Sequence, residues 1–130
     1  MRFLSIYKTA ERNAPPTLEH VEKMQKLVEE GQKAGWLVST EGCLPSARGA
    51  RVRSDAGKVT ITDGPFTESK ELVAGFAILE ASSKEEAIEL TKTFLDVAGG
   101  DGECEIREVY SAPVETPRTA AELAERFANC

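Results

Sequence analysis

The longest apolar run of the chain, LVAGFAILEA at positions 72–81, is followed at once by the pattern of a capped amphipathic helix. The length of the run, Gly75 in its middle and the turn residues on either side favour a strand buried in a sheet over a helix. The next residues, Ser83 to Glu86, predict a helix start, because the serine oxygen can accept a hydrogen bond from the amide three residues on. A strand followed directly by a helix places the chain among the mixed α and β folds.

Other patterns complete an order of strand, helix, strand, hairpin, strand, helix, strand. They predict strands at 2–8, 36–44, 50–54, 58–62, 72–81 and 103–111, and helices at 17–35, at 83–98 and from 119 onwards. This order is an α+β, ferredoxin-like βαββαβ unit with an inserted β-hairpin, and we expect Gly57 to take a positive φ in the hairpin turn. We assign residues 1–111 to this domain and residues 112–130 to a C-terminal extension with a short helix, because Pro113 and Pro117 interrupt the chain there.

Two helices can cover only one face of such a sheet. In the first strand Leu4 and Ile6 alternate with Phe3 and Tyr7, which predicts a central strand with both faces at least partly covered. We expect Phe3, Tyr7 and one side of residues 72–79 to form the face without helices, and this apolar surface needs a partner. A homodimer that packs sheet against sheet would cover it. The alternative is that the C-terminal helix folds back over its own subunit.

Composition and charge exclude several classes of function. The 130 residues suit one domain, and a formal charge of −6 with a pI near 4.9 argues against nucleic acid as a partner. We expect a cytoplasmic protein without membrane association, because no run approaches a signal peptide or the ~20 apolar residues of a membrane span. Three cysteines without a Cys-x-x-Cys pair and a single histidine, His20, predict neither a disulfide framework nor a zinc site. We interpret Cys43 and Cys104 as small core residues.

The segment DGPFTESKE at positions 63–71 carries the strongest local signal. Asp63 and Gly64 before Pro65 predict a stiff turn that projects Phe66 and Glu68 from one edge of the sheet. Under a structural interpretation Asp63 caps the turn, Phe66 fills the core, and the charged residues are solvated. Under a functional interpretation the segment gathers acids, a cation and an aromatic ring at a site.

The string DGPFTESKELVAGF resembles the signature of the YCII-related proteins of the DGPF type. The similarity extends over about residues 1–110 and includes the following segments: Lys33-Ala34-Gly35, Pro45-Ser46, Gly49 to Arg53, Ser83 to Glu89 and Glu105-Ile106-Arg107. The resemblance implies a ferredoxin-like subunit that pairs into a dimeric α/β barrel. It also implies an unsettled activity, and an association with sigma factors in relatives suggests a protein partner in regulation. Relatives often carry a histidine where this chain has Leu44.

Two functions follow from these observations. The first is a non-catalytic or regulatory module that binds a small polar molecule in a cleft near the 63–66 loop, with ligand-binding candidates Phe66, Glu68, Lys70, Arg48, Ser46 and Tyr7. The alternative is a small-molecule enzyme with carboxylate acid/base chemistry, in which Asp63 acts with Glu41 or Glu68. A structural role for Glu41 is an ion pair with Arg48 or Arg51. No phosphate loop or dinucleotide fingerprint is present, and we expect no cofactor and no metal.

Overall fold

A computed structural model of the chain describes residues 1–12, 14–110 and 118–128. In chain order the strands are β1 (Arg2–Thr9), β2 (Leu37–Gly42), β3 (Ala50–Asp55), β4 (Lys58–Asp63), β5 (Leu72–Glu80) and β6 (Glu103–Glu108). The helices are α1 (Leu18–Ala34), α2 (Lys84–Ala98) and α3 (Ala120–Ala128), and a short 3-10 turn spans Ser46–Arg48. The predicted elements therefore agree with the observed ones within a few residues.

The main sheet has four antiparallel strands in the order β2-β5-β1-β6. Both strands predicted to be central, β1 and β5, lie between two neighbours. The order, with α1 and α2 in the connections, is compatible with a ferredoxin-like α+β fold. No helix in the described part of the chain is long and apolar enough to cross a membrane.

Both helices of the main domain begin at side chains that accept hydrogen bonds from backbone amides. The Thr17 hydroxyl accepts from the amide of His20 at 3.2 Å, and the Ser83 hydroxyl accepts from the amide of Glu86 at 3.1 Å. These bonds satisfy donors that would otherwise lack a partner at a helix start. The capping pattern at Ser83 therefore predicted the start of α2 correctly.

The prediction of which sheet face lacks helices was wrong. Phe3 is only 2% exposed in a cluster with Ala87 of α2, and the ring of Tyr7 packs edge-on against Phe94 of α2 at 5.1 Å between centroids. The face of β1 that carries Phe3 and Tyr7 is therefore the face beneath the helices. Alternation along a strand puts Leu4 and Ile6 on the other face. The alternation of residues along β1 predicted which side chains share a face. It could not show which of the two faces the helices would cover.

Strands β3 and β4 form a separate two-stranded hairpin whose residues are all exposed. Its turn holds Ala56 and Gly57 at φ of 50° and 82°, as the sequence predicted for Gly57. One face of the hairpin carries Arg51 and Arg53, and Val52 pairs with Ile61 on the other. The hairpin is therefore an arm with one cationic and one apolar face.

Three further expectations differ from the structure or fall outside it. Strand β2 ends at Gly42, although the Cys43 amide still donates to the Ala74 carbonyl at 2.8 Å. Cys43 is exposed rather than part of the core, because it follows the end of this edge strand, and Cys104 is half-buried. The boundary between residues 111 and 112, with Pro113 and Pro117, lies outside the described residues.

Candidate functional site

A cavity of about 600 Å³ lies between the two helices and the sheet. A volume of this size lies within the range of pockets that bind small molecules. The apolar part of its wall is contributed by both helices and by the sheet: Met24, Leu27, Val28, Leu37, Ala77, Leu79, Leu90, Phe94 and Ala98. The cavity is therefore enclosed by elements of a single subunit.

The cavity exists because the helices and the sheet pack tightly at one end only. At the closed end, defined by Phe3, Leu37, Leu79, Ala81 and Ala87, every residue is buried. Helix α1 approaches the sheet closely there, and a Cβ on Gly31 would lie 2.7 Å from the Trp36 ring and 2.9 Å from the Leu37 Cβ.

At the open end, which we define by Tyr7, Met24, Phe94 and Ala98, only Ala98 is fully buried. The other three side chains are half-buried and line the cavity instead of filling it. The same two helices and the same strands thus form a packed core at one end and a hollow at the other.

Two threonine hydroxyls of the cavity wall donate to backbone carbonyls. The Thr40 hydroxyl donates to the Phe76 carbonyl at 3.0 Å, and the Thr91 hydroxyl donates to the Ala87 carbonyl at 2.8 Å. Burial raises the pKa of the Cys104 thiol, and a hydrogen bond from Ser5 opposes this effect in part. Cys104 is not part of the cavity wall, and the two threonines leave a wall that presents mainly carbon to a ligand.

Titratable side chains lie at the mouth of the cavity. Glu11 and Arg12, in the connection between β1 and α1, line it together with His20 in the first turn of α1. The end of β2, at Glu41 and Cys43, also lines the mouth, with the Glu41 side chain on the sheet face opposite the helices. The cavity thus combines an apolar interior with a polar rim, which suits a ligand with an apolar body and a polar end.

Ser46 connects this rim to the 63–66 loop. Its backbone amide and its hydroxyl both donate to the Glu11 carboxylate, the hydroxyl at 2.9 Å, and the hydroxyl accepts from the Phe66 amide at 3.0 Å. The loop also approaches the 3-10 turn closely, because a Cβ on Gly64 would overlap the Ser46 carbonyl. Only glycine fits at this position, which explains why a glycine follows Asp63.

Arg51 holds the other side of the same loop. Its guanidinium stacks on the Phe66 ring at 3.9 Å from the centroid and bonds to the Glu68 carboxylate at 2.5 Å and to the Ser69 hydroxyl at 3.2 Å. A hydrogen bond from the backbone amide of Glu68 itself, and then the bond from Arg51, lower the pKa of the Glu68 carboxyl. Glu68 is therefore a carboxylate held in place by a cation, as in a structural ion pair.

The structure divides the candidate residues from the sequence into three groups. Tyr7 and Glu41 line the cavity. Ser46, Phe66 and Glu68 belong to the hydrogen-bonded network beside its mouth. Asp63, Lys70 and Arg48 are exposed and belong to neither group among the described residues. Arg51 pairs with Glu68 and not with Glu41, so one of the two structural partners considered for Glu41 is already engaged.

Sequence reasoning missed most of the cavity wall. Met24 and Leu27 belong to the apolar stripe of α1, and Phe94 and Ala98 belong to that of α2, so the pattern had identified them as helix faces. The stripe could not show whether these side chains pack against the sheet or line a hollow. Glu11 also gave no signal, because its role depends on Ser46, which lies 35 positions along the chain.

The site provides an apolar cavity and hydrogen-bonding groups at its rim rather than a cluster of reactive side chains. Within the described ranges, no cluster of three or more His, Cys, Asp and Glu side chains is placed to hold a metal ion. The fold and the site together define a small α+β domain with an antiparallel sheet and a ligand-sized cavity beneath its helices.

Comparison with known proteins identifies the family of this α+β domain. The chain belongs to the YCII-related domain family, whose pattern matches residues 1–113. It is also similar to an uncharacterised protein of Rhizobium meliloti (strain 1021), with 31% identity over 75 residues. The match covers 58% of this chain and 60% of that protein, so the chain spans less than two thirds of the relative's length.

Proposed function

We propose that this protein binds a small molecule with an apolar body in the cavity between its helices and its sheet. The single observation that carries the proposal is a hollow of about 600 Å³ enclosed mainly by apolar side chains. A compact domain packs its interior at close to crystal density, so apolar side chains that surround an open hollow gain burial when a ligand fills it. A binding function explains why the helices leave this space open.

The side chains of the cavity wall indicate which chemical groups the ligand carries. The sequence led us to expect a small polar molecule near the 63–66 loop. Thr40 and Thr91 donate their hydroxyl hydrogens to backbone carbonyls and have none left for a ligand. The interior therefore favours an apolar group of the ligand. Polar groups gather at the rim, beside the Glu11–Ser46–Phe66 network that reaches the loop. We therefore place the polar end of the ligand at the rim and its apolar body inside.

We propose binding without catalysis. A general acid or base works best with a pKa near the operating pH, whereas a backbone amide and then Arg51 lower the pKa of Glu68. Asp63, the first carboxylate of the enzyme hypothesis, ends β4 on the exposed hairpin rather than lining the cavity. Both placements favour structural roles for these two acids.

The open face of the main sheet supports a homodimer. It carries Leu4, Ile6, Phe76 and Ile78, which share one face by register, and Phe76 is 37% exposed. Side chains of both charges border this apolar patch in ion pairs: Arg2 pairs with Glu80, and both Lys8 and Arg107 pair with Glu105. A second copy related by a twofold axis could match apolar to apolar and cation to anion. We propose that two copies pack sheet against sheet, as in a dimeric α/β barrel.

Trp36, the single tryptophan of the chain, lines the cavity and provides a direct test of ligand binding. Titration with 4-phenylbutanol should give a saturable change in Trp36 fluorescence. Ala98→Phe should abolish the change, because the larger ring occupies the open end. Ala50→Phe adds the same volume on the exposed hairpin and should leave the titration unchanged.

Equal binding by the wild type and Ala98→Phe would overturn the proposal, and so would a titration that does not saturate. If Ala98→Phe does not fold, Ala77→Leu fills the cavity from the sheet side and replaces it. The exposed Cys43 at the mouth gives a second readout, because an occupied cavity should slow its reaction with a thiol reagent.

Light scattering after size exclusion tests the homodimer. Wild-type protein should elute at twice the chain mass, and Ile6→Glu should elute as a monomer because it buries a charge at the centre of the sheet interface. Val52→Glu, on the exposed hairpin, is the matched control. A monomeric wild type, or an Ile6→Glu variant that remains dimeric, would contradict the proposal.

A further inference from the structure

We infer that the polar end of the ligand is an anion, of the carboxylate class, held at the cavity mouth by Arg12 with His20 as a second hydrogen-bond donor. This inference rests on the proposed function and adds the charge of the ligand to it. It follows from how the acids, the cation and the imidazole at the mouth are engaged. Glu11 already has hydrogen-bond partners and Glu41 is turned away, whereas Arg12 and His20 are available.

Arg12 is the cation of the mouth. It lines the cavity, and in the described part of the chain no carboxylate lies within salt-bridge distance of it. Its Nη2 lies 3.3 Å from the position that a Cβ on Gly100 would occupy, so the side chain reaches from the connection after β1 to the residues that follow α2. A guanidinium in this place offers paired N–H donors that match the two oxygens of a carboxylate.

His20 lies half-buried in the first turn of α1 and also lines the cavity. Its backbone amide donates to Thr17, while its imidazole makes no hydrogen bond to the described residues. Even the neutral ring carries one N–H donor, so it can contribute a hydrogen bond to a ligand oxygen. Arg12 and His20 therefore supply donors at the rim, whereas the deeper wall supplies carbon.

The two acids of the mouth do not offer a matching site for a cationic ligand. Both oxygens of Glu11 accept hydrogen bonds from Ser46, one from its amide and one from its hydroxyl. Glu41 pairs by register with Phe76, which shares the open face of the sheet with Ile6, so its side chain leaves on the face opposite the helices. Among the described residues that line the mouth, Arg12 is thus the charged side chain left available to a ligand, although the whole chain has a formal charge of −6.

Three probes that share one apolar body test the inference: 4-phenylbutyrate, 4-phenylbutanol and 4-phenylbutylamine. Their dissociation constants, measured by Trp36 fluorescence and by calorimetry, should rank the carboxylate first, about tenfold tighter than the alcohol, with the amine weakest. Arg12→Gln should remove most of this advantage and leave alcohol binding unchanged. Arg53→Gln, which removes a cation from the hairpin instead, should change none of the three constants.

The outcomes separate this inference from the proposed function. If the alcohol binds as tightly as the carboxylate, or the amine binds most tightly, the anionic ligand is wrong while the cavity remains a binding site. Retention of the carboxylate preference in Arg12→Gln would also overturn the inference. If none of the three probes binds, the proposed function and the inference fail together. The advantage of the carboxylate should also shrink as salt increases, because Arg12 is exposed.

Discussion

The two ends of the helix–sheet interface use the same elements for different purposes. At the closed end, Phe3 is 2% exposed and Ala87 is completely buried, and a glycine in α1 brings the helix onto the sheet. At the open end, Phe94 and Met24 are half-buried around a hollow of about 600 Å³. The contrast indicates that the closed end holds the fold together, whereas the open end is shaped for an occupant.

The largest expected effect separates the two ends directly. Phe3→Ala should lower the free energy of unfolding by about 3–5 kcal/mol, because it opens a cavity in packed surroundings. Phe94→Ala removes the same ring from a wall that already borders empty space, and it should cost less than about 2 kcal/mol. Urea denaturation of both variants measures the difference. Equal losses would show that the open end carries as much of the stability as the closed end.

A second test concerns the close approach of α1 to the sheet. Gly31→Ala should destabilise the protein by about 1–3 kcal/mol, since the new methyl group would overlap the Trp36 ring and the Leu37 Cβ. An exposed helix position would instead gain up to about 1 kcal/mol from the change of glycine to alanine. The sign of the change in urea midpoint therefore reports whether the closed end is as tight as the structure shows. Gln32→Ala, one residue further on α1 and exposed, should be close to neutral.

The rim of the open end should show a smaller effect. Ser46→Ala removes the hydroxyl that donates to Glu11 and accepts from the Phe66 amide, at an expected cost of about 1–2 kcal/mol. Faster hydrogen exchange of the Phe66 amide should accompany this loss. Ser54→Ala, on the exposed hairpin, should stay within about 0.5 kcal/mol of the wild type. An unchanged exchange rate at Phe66 would show that the network does not hold the loop.

The smallest effect is expected at the exposed Arg51–Glu68 pair. Because the folded-state pKa of Glu68 is lowered, its contribution to stability is present above its unfolded pKa and is lost as the pH falls through the folded value. The wild type should therefore be slightly more stable than Glu68→Gln at pH 7, and the difference should vanish near pH 2. Denaturation at both values measures it. A difference that persists in acid would require a cause other than the charge of Glu68.

Local patterns determined much of the fold. The capping residues Thr17 and Ser83 predicted the starts of both main helices, and the apolar run at 72–81 predicted a strand inside the sheet. These features depend on neighbours in sequence, which is why they can be read from it. The side of β1 that lies beneath the helices depends instead on long-range packing, and there the assignment of Phe3 and Tyr7 was wrong.

The candidate site was harder to predict for a related reason. Tyr7 and Glu41 line the cavity, and Ser46, Phe66 and Glu68 belong to the network beside it, while a ligand-binding or catalytic role for any of them stays a prediction. The cavity itself is a property of spacing between elements, and an apolar stripe looks the same whether it fills a core or surrounds a hollow. Only the three-dimensional arrangement distinguishes the half-buried Met24 at the wall from an ordinary core residue.

The placement of tight packing at one end also has a consequence for evolution. Substitutions at Met24 or Phe94 alter the shape of the hollow, while the cluster around Phe3 continues to hold the helices on the sheet. Selection can therefore explore new wall residues without first losing the fold, because the stability threshold is met elsewhere in the domain. A scaffold organised in this way can diversify what it recognises while its architecture stays constant.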